Sequence, residues 1–251
     1  MHSFWAAALF TILVWWLSTG LIVRLADLRG MRRGHGFLAA SVLLGLGLLG
    51  VVSTRDQASV AGAYGAFAST VLVWGWQELA FLLGLITGPN RKPCPPVTGW
   101  QRAWHAFTAV AHHELALVLL GLAVILPTWD APNRVAASTW AVLWVMRLSA
   151  KLNLFLGVRN CYETFLPPSL QYLVTYFARR RFNGLFPLSF VLTLAASVLV
   201  VGEAFGASSA HERAAAGLVG SLLALALIEH ILLMVPFEPD LLWRWALRDE
   251  R

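Results

Sequence analysis

Apolar runs of about 20 residues recur along the chain, each closed by a short polar stretch. A bilayer core takes about 20 apolar residues of α-helix. The pattern therefore predicts spans at 4–23, 37–53, 60–87, 103–126, 135–158, 186–206 and 214–236. The expected fold is all-α: a polytopic membrane protein, with a seven-transmembrane-helix bundle making residues 1–251 a single integral membrane domain. The first run, "MHSFWAAALFTILVWWLSTG", has no basic n-region and outlasts a signal-peptide core, so it reads as a retained span. The third and fifth runs are long enough to tilt or to extend beyond the bilayer.

Two connections carry patterns of their own. "GPNRKPCPPVTGW" is rich in Pro and Gly and reads as an ordered or docking loop. Between spans five and six, Pro167 and Pro168 suit a helix start, and Leu170, Leu173, Val174 and Phe177 follow at helical spacing. Closed by Arg179, Arg180 and Arg181, this segment predicts an amphipathic helix on the inner surface, either a plain surface helix or a partner's platform. Small-residue spacings such as Gly62–Ala66 and Gly217–Ser221 suit close helix contact, although Ala- and Gly-rich spans produce them by chance.

Composition agrees with the pattern: 58% of residues are hydrophobic, 13% are charged and the mean hydropathy is +0.67. A net charge of +6 belongs to cytoplasmic loops here and implies no nucleic-acid partner. Fourteen Lys and Arg fall in the loops after spans one, three and five and in the tail, against Arg55, Arg134 and Arg213 on the other side. That alternation places the N-terminus outside and the C-terminus in the cytoplasm. Trp100, Trp104, Trp243 and Trp245 mark an inner aromatic belt, with Trp5 and Trp129 on the outer side. Cys94 and Cys161 lie far apart and form neither a metal knuckle nor a disulfide framework.

Against this background the ionisable groups inside the spans stand out, because charge in hydrocarbon must be neutralised or used. Glu78 in span three, His112, His113 and Glu114 in span four, Arg147, Lys151 and Asn153 in span five, and Glu229 and His230 in span seven share one depth. Helix rise puts them in a zone roughly 8–18 Å below the cytoplasmic boundary. Arg147 and Lys151 share one helix face, with Trp144 placed for a cation–π contact. Arg159 and Glu163 form another four-spaced pair near the inner surface, and Glu203 lies alone near the outer one.

Such a layer serves as a structural ion network, a ligand site or a proton-handling site. A di-metal carboxylate site wants Glu-x-x-His pairs, which are absent, so the sequence assigns no metal ligands. Tetrapyrrole ligation needs one imidazole, and His105, His112, His113 and His230 all qualify. A proton relay through Glu78, Glu114 and Glu229 is the enzymatic or proton-coupled alternative.

The runs "WGWQELAFLLGLITGP", "HHELAL", "SAKLNLFLGVRN", "LFPLS" and the "EH" of the last span resemble the photosynthetic complex assembly protein 2 family, PuhE. The likeness extends over essentially the whole chain. It is most specific at 149–160, where Lys151, Asn153, Arg159 and Asn160 interrupt an apolar context. The resemblance implies a multi-pass protein of the bacterial inner (cytoplasmic or intracytoplasmic) membrane. It implies a non-enzymatic role in photosynthetic complex assembly or bacteriochlorophyll supply. The implied partners are the lipid bilayer, reaction-centre or light-harvesting subunits, or bacteriochlorophyll-synthesis enzymes, and bacteriochlorophyll or a precursor is the implied ligand. No catalytic residue comes with it. The candidate ligand- or partner-binding set is Glu78, His112, His113, Glu114, Arg147, Lys151, Asn153, Arg159, Asn160, Glu163, Glu229 and His230.

Overall fold

The computed structural model describes residues 1–28, 30–161, 163–235 and 240–246, with the side chains of residues 240 and 241 excepted. Arg29, Arg248 and Arg251 of the basic count lie outside them. Among the described residues the chain is all-helical. Its seven long helices are α1 (His2–Ala26), α2 (Met31–Thr54), α3 (Val60–Leu82), α4 (Gly99–Ile125), α5 (Val135–Leu156), α6 (Leu185–Gly206) and α7 (Ala210–Met234). A short α8 (Asp240–Trp243) follows.

Five of these helices, α1, α2, α4, α6 and α7, are long and apolar enough to cross a membrane, and the chain is a multi-pass membrane protein. The predicted count of seven is not reached on that measure. The reason lies in α3 and α5, which carry the polar residues Gln77, Glu78, Arg147, Lys151 and Asn153. Both helices have protein on several sides. α3 packs against α1, α2, α4, α5 and α7, and α5 packs against α3, α4, α6 and α7. Contacts taken in order, Thr11–Leu218 then Trp15–Glu229, Trp74–Trp140 then Glu78–Arg147, and Phe10–Phe67 then Ile22–Gly75, show α1, α3, α5 and α7 running one way. Pairings of Trp76 with Ser41 and of Asn153 with Ser189 fit α2 and α6 running the other way, as α4 does with Glu114 on Lys151.

The helix ends follow local chemistry. Ser59 caps α3 by accepting the Gly62 N–H, and Ser209 with Glu212 forms a complete capping box on α7. Asn183 caps α6, its Oδ1 accepting the N–H groups of Leu185 and Phe186. α5 stops at Leu156 because Gly157 adopts φ 128, a conformation other residues rarely reach, with the Arg180 side chain lying against it. α3 ends at Leu82, five residues short of the predicted span. Of the small-residue spacings, Gly217 is a true close approach, since a Cβ there would meet Phe4 O of α1 at 2.6 Å. Gly62 instead faces Gln57 of its own loop.

The predicted amphipathic α-helix is a 3-10 helix, Pro168–Tyr176. Leu170, Leu173 and Tyr176, spaced by three, are its buried face, which is the spacing a 3-10 helix turns inward. They pack on Phe81 and Ala109, so this apolar face is spent on the bundle itself. The Pro/Gly-rich loop is ordered against the same segment. Asn90 donates to the Tyr176 hydroxyl, which donates to Lys92 O, and the Cys94 N–H donates to Thr175 Oγ1. The aromatic tail docks as well: the Trp243 indole donates to Trp16 O, and its ring lies edge-on to Trp15 at 5.2 Å.

Candidate functional site

α5 supplies two cations one turn apart, and each is met by a carboxylate from a different neighbour. Arg147 Nη2 lies 3.1 Å from Glu78 Oε2 of α3, and Lys151 Nζ lies 2.5 Å from Glu114 Oε1 of α4. The quartet is neutral as a whole and pins α5 between α3 and α4. Trp144 does not stack on Arg147; the cation–π contact seen among the described residues is Arg102 over Phe155, at 4.0 Å. Arg102 also donates to the carbonyls of Phe155 and Tyr176, tying the start of α4 to the end of α5.

Beside the quartet, fully buried Gln77 approaches fully buried His113, with its Nε2 2.6 Å from Nδ1 and 3.3 Å from the His113 carbonyl. Phe81 lies tilted against the imidazole at 4.3 Å, and the His113 backbone N–H donates to Thr87 O. Gln77 and Glu78 are neighbours on α3, His113 and Glu114 on α4, and Arg147 and Lys151 lie one turn apart on α5, so these residues form one cluster. Several polar atoms in it are buried without partners: Gln77 Oε1, Glu78 Oε1, His113 Nε2 and Arg147 Nε.

The remaining predicted residues go elsewhere. Asn153 and His230 belong to a separate neutral network. His230 Nδ1 faces Ala226 O and Nε2 faces Ser149 Oγ, both at 2.8 Å, so a hydrogen on Nδ1 satisfies both ring nitrogens. Asn153 donates to Ser149 O and Ser189 Oγ and accepts from Asn183, which also donates to Gly157 O. His112 faces out of the bundle and is exposed. Glu229 accepts from the Trp15 indole at 3.1 Å on the surface of the bundle. The expected Arg159–Glu163 pair does not form, because the chain leaves the helix at Gly157; Glu163 pairs with Arg179 instead. Arg159 and Asn160 close the end of α7 through their N–H groups on Leu233 O, with the Asn160 amide on Leu232 O. Exposed Glu203 is apart from all of these.

The whole chain, residues 1–251, matches the family described as "Protein of unknown function (DUF3623)". The chain belongs to DUF3623. A relative from Rhodobacter capsulatus, named "Uncharacterized 30.4 kDa protein in puhA 5'region", is 39% identical over 98% of this chain and 92% of its own length. No solved structure matches.

In this DUF3623 protein, several residues of the two clusters escape sequence reading. Gln77, the partner of His113, sits next to Glu78 and carried the same signal, a strongly polar residue in an apolar run. Ser149 and Ser189 carried none, because serines are common in apolar helices and bond their own backbone. Asn183 was visible only as a turn residue before "LFPLS", which is also what a helix cap looks like.

Proposed function

We propose that this DUF3623 protein is a seven-span, non-enzymatic accessory protein of the bacterial inner membrane that serves photosynthetic complex assembly or bacteriochlorophyll supply. In this reading it is a PuhE-type assembly protein, with its N-terminus outside and its basic end in the cytoplasm. The observation that carries the functional part is the relative named for its position at puhA, joined to the residue runs that resemble PuhE. The paired state of Glu78 and Glu114 supports a scaffold over a catalyst, since each carboxylate is engaged by a cation. α3 and α5 join the five apolar helices as spans because Glu78, Arg147 and Lys151 are paired with opposite charges on neighbouring helices.

The partner face is the basic end, where the Pro/Gly-rich loop and the 3-10 helix are ordered against each other and Trp243 docks on α1. Affinity purification of the tagged full chain from photosynthetically grown cells is expected to recover reaction-centre or light-harvesting subunits, or bacteriochlorophyll-synthesis enzymes. A deletion strain is expected to accumulate fewer assembled complexes. Recovery of none of these, with normal complex levels in the deletion strain, overturns the reading. The proton-coupled alternative predicts instead that Glu78→Gln or Glu114→Gln abolishes function in protein that still accumulates.

A further inference from the structure

We infer that α3, α4 and α5 enclose a site for ligand oxygen atoms, strung along the seam beside the ion pairs. The argument begins with a tautomer. The Gln77 amide nitrogen approaches both the His113 carbonyl and His113 Nδ1. A carbonyl only accepts, so the amide must present N–H to it, which fixes the amide orientation and aims its second hydrogen at Nδ1. Nδ1 is therefore the bare nitrogen, and the neutral imidazole carries its hydrogen on Nε2. That Nε2–H is a donor in a side chain with no exposed surface and no partner.

It has company. The indole N–H groups of Trp140 and Trp144 and the Nε–H of Arg147 are buried and unpartnered, as are the acceptors Gln77 Oε1 and Glu78 Oε1. Contacts across the seam bring these residues together. Arg147 holds Glu78, Gln77 holds His113, and Trp140 lies edge-on to Trp74 of α3 at 5.2 Å while packing on Gly121 of α4. From Trp140 to Arg147 the seam covers about 10 Å. Buried polar atoms in native proteins almost always have partners, and where the protein supplies none an ordered internal water usually does. Several unmatched atoms on one seam are a lining, too long for one atom to serve.

The lining is rich in N–H donors and adds two oxygen acceptors, so it recognises oxygen lone pairs. Internal waters satisfy donors and acceptors alike. A carbonyl-bearing amphiphile entering between the helices satisfies the donors. The inference rests on the packing of three helices and stands whether or not the assembly role holds.

The test is indole N–H NMR on the purified full chain with ¹⁵N-labelled tryptophan, assigned with Trp144→Phe and Trp140→Phe. The Trp144 indole is expected at a hydrogen-bonded shift. A cross-peak to water protons identifies water; one to non-exchanging protons, lost on delipidation, identifies an amphiphile. Trp144→Phe is expected to lower Tm by roughly 2–4 °C, because a made hydrogen bond is removed. A shift typical of an unbonded indole, with neither cross-peak and with Tm unchanged or raised in Trp144→Phe, overturns the inference. If Trp144→Phe fails to accumulate, Trp140→Phe assigns the Trp140 indole, and the same shift, cross-peak and Tm criteria decide the inference there.

Discussion

Two buried polar clusters flank α5, and they are built on opposite principles. On one side Arg147 and Lys151 meet Glu78 and Glu114 in ion pairs, surrounded by polar atoms without partners. On the other, Ser149, Asn153, Asn183, Ser189 and His230 form a neutral network in which both nitrogens of His230 and both ends of the Asn153 amide are engaged. The neutral network joins α5 to α6 and α7 and leaves no polar atom of these five side chains among the buried, unpartnered ones. A closed network of that kind fixes geometry. The charged cluster leaves part of its hydrogen bonding open, which is how groups that interact with something else are arranged. Charge alone is therefore a poor guide to structural weight in this bundle.

The sharpest way to break the comparison is to strand a charge. Lys151→Met leaves Glu114, whose side chain is 19% exposed, facing a vacated partner. The expected loss is about 3–5 kcal/mol, the usual result of orphaning one member of a buried pair. The double variant Lys151→Met/Glu114→Leu is expected to recover most of it, because a pair replaced by apolar groups of similar volume is often neutral. Denaturant or thermal unfolding in detergent checks both values. A double variant as unstable as the single one removes the view that the pair is a matched, dispensable unit.

The neutral side should respond by smaller, local steps. Asn183→Ala removes the cap of α6 together with the bonds to Asn153 and Gly157, with an expected cost of about 2 kcal/mol. Ser149→Ala leaves His230 Nε2 buried without a partner, at about 1–2 kcal/mol. These residues touch neither ion pair, so adding Ser149→Ala to Lys151→Met is expected to give additive losses within about 0.5 kcal/mol. A larger deviation means that the two clusters are one.

Sequence exposed the charged cluster and concealed the neutral one, for a physical reason. Arg, Lys and Glu are so costly in hydrocarbon that their presence alone announces partners, and a shared depth announced which. Depth, however, says nothing of azimuth. His112 and Glu229 lie at the right level and face the surface, while His230 faces the neutral side of α5. The long helices were legible because apolar runs measure themselves against a bilayer. α3 overshot its end because hydropathy continues through Leu83, Leu85 and Ile86 although the chain has already turned at Gly84, where φ is 71. The helix at Pro168–Tyr176 was legible but its 3-10 form was not, because Leu170, Leu173, Val174 and Phe177 fit a 3.6-residue period as well as the buried Leu170, Leu173 and Tyr176 fit a period of three.

Cys161 offers the finest probe of the difference, because it lies at the rim of the neutral side, packed with Val158 and Leu233. Burial pushes its thiol above the ordinary value of 9.0; the charge of Glu163 adds to the rise and that of Arg179 works against it. The thiolate is the reacting form, so a raised pKa means little thiolate below pH 9 and a rate of alkylation still climbing beyond it. In the wild type, maleimide labelling of Cys161, read in a Cys94→Ser background, is therefore expected to be slow at pH 7 and to steepen above pH 9. Glu163→Gln lowers the thiol's pKa and is expected to raise the rate at pH 8 by about two- to threefold. Asn183→Ala, by loosening the segment that holds Gly157, is expected to raise it further, whereas Lys151→Met leaves it near the wild-type value under conditions where both variants stay folded. Equal acceleration by both would mean that loss of the ion pair opens the neutral side as well, and that α5 transmits strain between two faces that the hydrogen bonding keeps separate.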